Sequence, residues 1–186
     1  MKKLISILCL LLASIAVFAE TPITYNDFVY SGSGRTEKRA QYVTSFTCQA
    51  RLSPLSTINV TAISVKKNSR TMVFAILTES RENGNGDNII ITDTDVDETV
   101  RFLTQMLPVV QDGFKGTLAS GESYEDFYMS GTGFSVGYAA RGEQIAWFIM
   151  FGGKEYNYKM RFCSPETLLE AFTSTQKVID TLKNAK

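Results

Sequence analysis

Histidine is absent from this chain of 186 residues. That absence removes Ser-His-Asp and Cys-His nucleophile systems, His-ligated zinc and switching by imidazole protonation. Cysteine is scarce: of three, Cys9 falls in the leader, so Cys48 and Cys163 alone cannot close a zinc site. Net charge is also missing. The 19 basic and 19 acidic residues cancel, and without Lys2 and Lys3 the chain carries −2, which argues against a nucleic-acid partner. No Gly-x-Ser-x-Gly elbow occurs, and no catalytic set or cofactor-binding fingerprint can be assembled. After Ile15 there is no apolar run long enough to span a bilayer, so the mature chain is expected to carry no membrane span.

The leader itself reads clearly. Lys2 and Lys3 precede an apolar stretch from Leu4 to Ile15, and Val17-Phe-Ala19 offers a small-residue cleavage site before Glu20. Residues 1–19 are therefore expected to be a cleaved signal peptide, and residues 20–186 one exported domain. The Met-Lys-Lys opening suits a bacterial signal and a periplasmic or extracellular destination. In such a compartment Cys48 and Cys163 are candidates for a disulfide. Strand register argues the other way: Cys48 shares a face with Tyr42, Phe46 and Ala50, whereas Cys163 alternates with Lys159 and Arg161.

Two helices are expected. Val96, Val100, Leu103, Leu107 and Val110 recur at helical spacing, which sets a helix over about 95–112 with Thr94 or Asp95 as its cap, and Pro108 is expected to end or kink it near Leu107. Ser164 and Pro165 open the second, over about 165–184, which buries Leu168, Phe172, Thr175, Ile179 and Leu182. Between them lie strands. Residues 42–52 and 154–163 alternate, the latter setting Tyr156, Tyr158, Met160 and Phe162 against Lys159 and Arg161. Residues 72–77 and 145–151 are apolar throughout and ask for cover on both faces. Lys67-Asn-Ser-Arg70, Asn83-Gly-Asn-Gly86 and Arg141-Gly-Glu143 read as hairpin turns. The fold class is α+β, an antiparallel sheet with two helices packed on it.

An internal echo bears on the architecture. Residues 25–34 and 124–133 share six identical positions in the pattern Tyr-x-Asp-Phe-x-x-Ser-Gly-[Ser/Thr]-Gly. It suggests two related halves, 24–112 and 123–186, with a two-fold relation and an extra hairpin near residues 42–65 in the first. That reading requires Phe28 and Phe127 to be equivalent and buried. The extra hairpin and the N-terminal segment would supply the second layer over the apolar strands.

Few side chains invite chemistry. Asp93, Asp95 and Asp97 alternate as calcium ligands do, but Glu98 replaces the turn-forming glycine, and a carboxylate-rich helix start explains them better. Ser64-x-x-Lys67 runs along a strand, not into a helix. The basic clusters Arg35, Lys38, Arg39 and Lys66, Lys67, Arg70 fit solvated hairpin ends or an acidic surface. Surplus apolar sheet around Phe74, Trp147, Tyr156 and Tyr158 is the strongest hint of an interface or ligand face. The expectation is an exported, non-catalytic binding module for a protein partner. A carrier of a small apolar molecule, a homodimer face and a carboxylate-based enzyme are the alternatives.

Overall fold

A computed structural model describes residues 36–49, 55–81, 84–113, 122–142, 144–152 and 158–185, all within the compact unit Gly34–Lys186. Four strands lead into a helix, and four more lead into a second. These are β1 (Thr36–Gln49), β2 (Leu55–Lys67), β3 (Arg70–Arg81), β4 (Gly84–Thr92) and α1 (Asp93–Gly113), then β5 (Ser123–Met129), β6 (Ser135–Arg141), β7 (Gln144–Gly152), β8 (Tyr158–Phe162) and α2 (Pro165–Asn184). The eight strands form one antiparallel sheet in the order β4-β3-β2-β1-β8-β7-β6-β5. The α+β expectation is thus met, and the residues expected as an extra covering hairpin are β1 and β2 of this same sheet.

Strand order also speaks to the expected two-fold. A two-fold axis would mirror the halves, giving 4-3-2-1-5-6-7-8. The observed order repeats as 4-3-2-1 and 8-7-6-5, and alternating antiparallel neighbours make β1 and β5 run the same way. That order does not match a two-fold between the halves. The echo falls only half within the described residues. Its second copy covers β5, where Phe127 is 42% exposed instead of buried; its first copy, with Phe28, lies outside the described residues.

Both helices lie on one face. α2 packs on β1, β2 and β3, and α1 on β3, β4, β5 and α2. Thr92 caps α1 where Thr94 or Asp95 was expected. Its hydroxyl accepts from Asp95 N–H at 3.1 Å, and Asp95 Oδ2 accepts from Thr92 N–H at 2.8 Å, a reciprocal capping pair. α1 runs through Pro108 to Gly113, because Leu107 and Val110 continue the buried stripe set by Val96 and Leu103. Proline removes one ladder bond, whereas each buried aliphatic side chain contributes about 1.5–3 kcal/mol. α2 begins as expected, with Pro165 in its first turn and Leu168, Ala171, Phe172 and Ile179 buried.

The wholly apolar strands are covered on both faces. Val73, Ala75, Trp147 and Ile149 join the helix-side core, while Phe74, Ile63, Val65 and Phe148 are buried outside it. The ladder β3–β2–β1 makes this face assignment continuous: Phe74 opposes Ile63, and Ile63 opposes Ala40. One irregularity matters. Pairing shifts between Tyr42 and Thr44, so Val43 forms a bulge that returns Phe46 and Cys48 to the core and leaves Tyr42 60% exposed.

Candidate functional site

The site grows out of the shortest strand. β8 has five residues and meets β1 at one registered pair, Gln49 opposite Phe162. It then stops. Ser164 takes an extended conformation and accepts from Thr167 N–H at 3.4 Å, and Pro165 starts α2. The chain therefore leaves the sheet plane at Cys163, whose N–H donates to Trp147 O at 3.0 Å. Beyond that point β1 and the start of β7 have no strand between them among the described residues.

A disulfide closes the junction. Cys48 on β1 and Cys163 after β8 are bonded, with Cα atoms 4.8 Å apart and 115 positions between them. The register argument against this bond fails at Arg161. Ile149 opposes Arg161 and belongs to the helix-side core, so Arg161 and Cys163 point inward with Cys48. On the face expected to be wet, Lys159 is exposed but Arg161, two residues on, is 0% exposed.

Arg161 survives there because every donor is used. Nε donates to Glu79 Oε1 at 3.0 Å, and Nη2 to Glu79 Oε2 at 2.8 Å and Asp87 Oδ2 at 3.0 Å. Nη1 donates to the carbonyl oxygens of Phe151 at 3.0 Å and Lys159 at 2.8 Å. All five guanidinium hydrogens are thus accounted for. The guanidinium carbon also sits 3.9 Å from the centre of the Phe151 ring. Burial alone would raise the Glu79 carboxyl, but hydrogen bonds from Arg161 and Arg81 outweigh it and hold its pKa at about 2. Arg81 lies 2.5 Å from Glu79, and Lys159 lies 3.2 Å from Asp87. This is the densest charged cluster described, and it is fully engaged with itself. It ties β8 to β3 and β4 and so curls the sheet.

Where β8 ends, a cleft of about 360 Å³ opens. Leu55, Ile145, Trp147, Phe162 and Pro165 wall it, with the disulfide at its base. Leu55 and Ile145 are exposed at 61% and 37%, whereas Trp147 is buried against Tyr138 with ring centres 5.1 Å apart. Thr47, Gln49 and Ser164 also line it, so the cleft mixes apolar walls with polar groups, is shaped by strand ends, and is open to solvent.

The other expected residues are not gathered here. Phe74 is buried on the opposite face of the sheet from Trp147. Tyr156 and the side chain of Tyr158 lie outside the described residues. Asp93, Asp95 and Asp97 diverge around α1. Asp93 pairs with Lys183 at 2.7 Å, Asp97 accepts from Gln176 at 2.8 Å, and Asp95 accepts from Thr92 and from the Tyr128 hydroxyl at 2.9 Å. Burial and this Asp95 contact push the Tyr128 hydroxyl pKa upward. Among the described residues no group of three or more His, Cys, Asp or Glu could hold a metal.

Sequence reasoning pointed to Trp147 and the cysteines but missed Leu55, Ile145 and Pro165. Leu55 and Ile145 stand at strand starts and Pro165 at a helix start, and no local pattern joins the three. No protein-family model and no curated protein matches this chain.

Proposed function

We propose that residues 20–186 form an exported, soluble binding module that engages a protein partner through the cleft beside Trp147. The open cleft at the β1–β7 gap, with Leu55, Ile145 and Trp147 among its walls, carries this reading. Protein recognition commonly seats an apolar anchor side chain in such a depression. The disulfide supports export, because such bonds persist in oxidising compartments. The leader in residues 1–19 supports it independently. A binding role without catalysis is further supported by the charged groups, since Glu79, Arg161 and the three aspartates are already committed to structural partners.

A carrier of a small apolar molecule is the second reading. The cleft volume falls within the roughly 300–1,000 Å³ of small-ligand sites. Its exposed walls favour a partner's side chain instead, because a carrier encloses its cargo.

Site-specific photocrosslinking in the producing cell tests the proposal. A photoreactive residue at position 55 or 145 is expected to capture a discrete protein, while one at exposed Lys177 is not. Equal capture at all three positions, or none at the cleft, contradicts it; a lipid-sized adduct at the cleft transfers the argument to the carrier.

A further inference from the structure

The cleft continues along an open strand edge. β1 is 14 residues long, yet only Gln49 pairs toward β8, so Thr36–Cys48 present backbone groups on that side with no strand partner among the described residues. Residues 36–42 are exposed throughout. An unpaired edge of this length is a template for an added strand. At its far end stand Lys38 and Arg39, with Lys66 and Arg70 beside them on the β2–β3 hairpin. All four are exposed, none joins an ion pair among the described residues, and Glu37 is the only carboxylate described there. Arg39 and Lys66 line a small cleft with Glu37, Ser64, Thr71, Leu182 and Ala185, and by register Lys38 and Arg70 lie on the other face of the sheet, so cations flank both sides of the edge. In a chain with no net charge, such a cluster is a local feature.

We propose that the partner contributes an extended acidic segment that adds as a strand along the outer edge of β1. Antiparallel to β1, it continues the line that β8 abandons at Cys163. Its leading apolar side chain fills the cleft of Leu55, Ile145 and Trp147, and its carboxylates follow about eight residues later, against Lys38, Arg39, Lys66 and Arg70. The eight steps from Arg39 to Thr47 span about 27 Å of strand, which sets that spacing. Backbone pairing supplies affinity in this mode, the pocket and the charges specificity. Two features distinguish β1 from an edge that is merely blunted by lysine: the cations gather at one end, and an apolar cleft stands at the other. The inference rests on the binding-module reading and names its partner chemistry.

Selection from a displayed library of random twelve-residue peptides tests it on the oxidised protein. The expected peptides carry an aromatic or branched apolar residue toward the N-terminus and two or more Asp or Glu toward the C-terminus. Their binding, followed by anisotropy of the labelled peptide and by emission of Trp147, the only tryptophan, is expected to weaken tenfold or more in Lys38→Glu/Arg39→Glu. Methylating every second peptide amide is expected to abolish it, since a strand cannot pair without those donors. Unchanged Trp147 emission in the free variant verifies that the cleft is intact. Selected peptides without acidic residues, no selection above that on an unrelated exported protein, or binding indifferent to N-methylation each overturn the inference. If peptides shift Trp147 emission yet ignore Lys38→Glu/Arg39→Glu, the cleft proposal stands and the strand-addition inference falls.

Discussion

The two four-stranded halves share one plan and are held together differently. In the first, strands of 14, 13, 12 and 9 residues pair along nearly their whole length. In the second, strands of 7, 7, 9 and 5 residues do the same work, and the last of them reaches β1 through a single registered pair. Backbone ladders hold the first half. At the seam, side-chain chemistry takes over: the Cys48–Cys163 bond at one end of β8 and Arg161 within it. Where a ladder is short, covalent and ionic ties carry the join, and the space left by the missing strand becomes the cleft.

The largest effect should come from cutting the covalent tie. Removing a cross-link that closes a loop of 115 positions is expected to cost about 4–5 kcal/mol in the loop-entropy picture. Chemical denaturation of Cys48→Ala/Cys163→Ala against the oxidised protein measures it. A loss below about 1 kcal/mol would mean that the seam is closed by other contacts.

Arg161→Met should follow, at about 3 kcal/mol, because it leaves the buried Glu79 carboxylate with Arg81 as its one remaining guanidinium partner and unpairs the carbonyl oxygens of Phe151 and Lys159. The double variant Arg161→Met/Glu79→Met should recover part of that loss. Acid titration sharpens the same point. The Glu79 pKa is depressed to about 2, so the stability it contributes is complete above its ordinary value near 4.5 and drains away as pH falls toward 2. Thermal melts between pH 6 and pH 2 should show this limb in the native protein and a shallower one in Arg161→Met.

Gly137→Ala probes the second half alone. A Cβ there would collide with Cβ of Phe127 and the carbonyl oxygen of Asp126, so β5 must move. A cost of about 1–3 kcal/mol is expected, with faster amide exchange confined to β5 and β6. Tyr128→Phe should be the mildest, at about 1 kcal/mol, as it removes one hydrogen bond between β5 and Asp95 of α1. Denaturation curves resolve both.

These contrasts explain what could be read from the sequence. Helix positions were legible because their signals are local: a five-residue apolar stripe in α1, and Ser164 with Pro165 opening α2. Two hairpin turns were legible for the same reason, as Asn68 and Gly142 adopt the positive φ that their turns require. Gly84–Gly86, expected within a turn, instead belong to β4, where Gly84 and Asn85 pair with Arg81 and Ser80. The seam was not. The partners that make Arg161 a core residue lie 82 and 74 positions away at Glu79 and Asp87, so no local pattern reveals them. The bulge at Val43, which brings Cys48 inward and turns Tyr42 out, arises from pairing with β2 and leaves no mark in alternation. The cleft was half legible. Trp147 stood out within an apolar strand, but Leu55, Ile145 and Pro165 join it only because β8 ends early.

Hydrogen exchange on the protein before and after disulfide reduction tests the seam most directly. If side-chain ties join two otherwise separate ladders, reduction accelerates amide exchange in β7, β8 and the first turn of α2 while β2 and β3 keep their protection. Uniform acceleration across all eight strands, or no change at β8, would contradict the account.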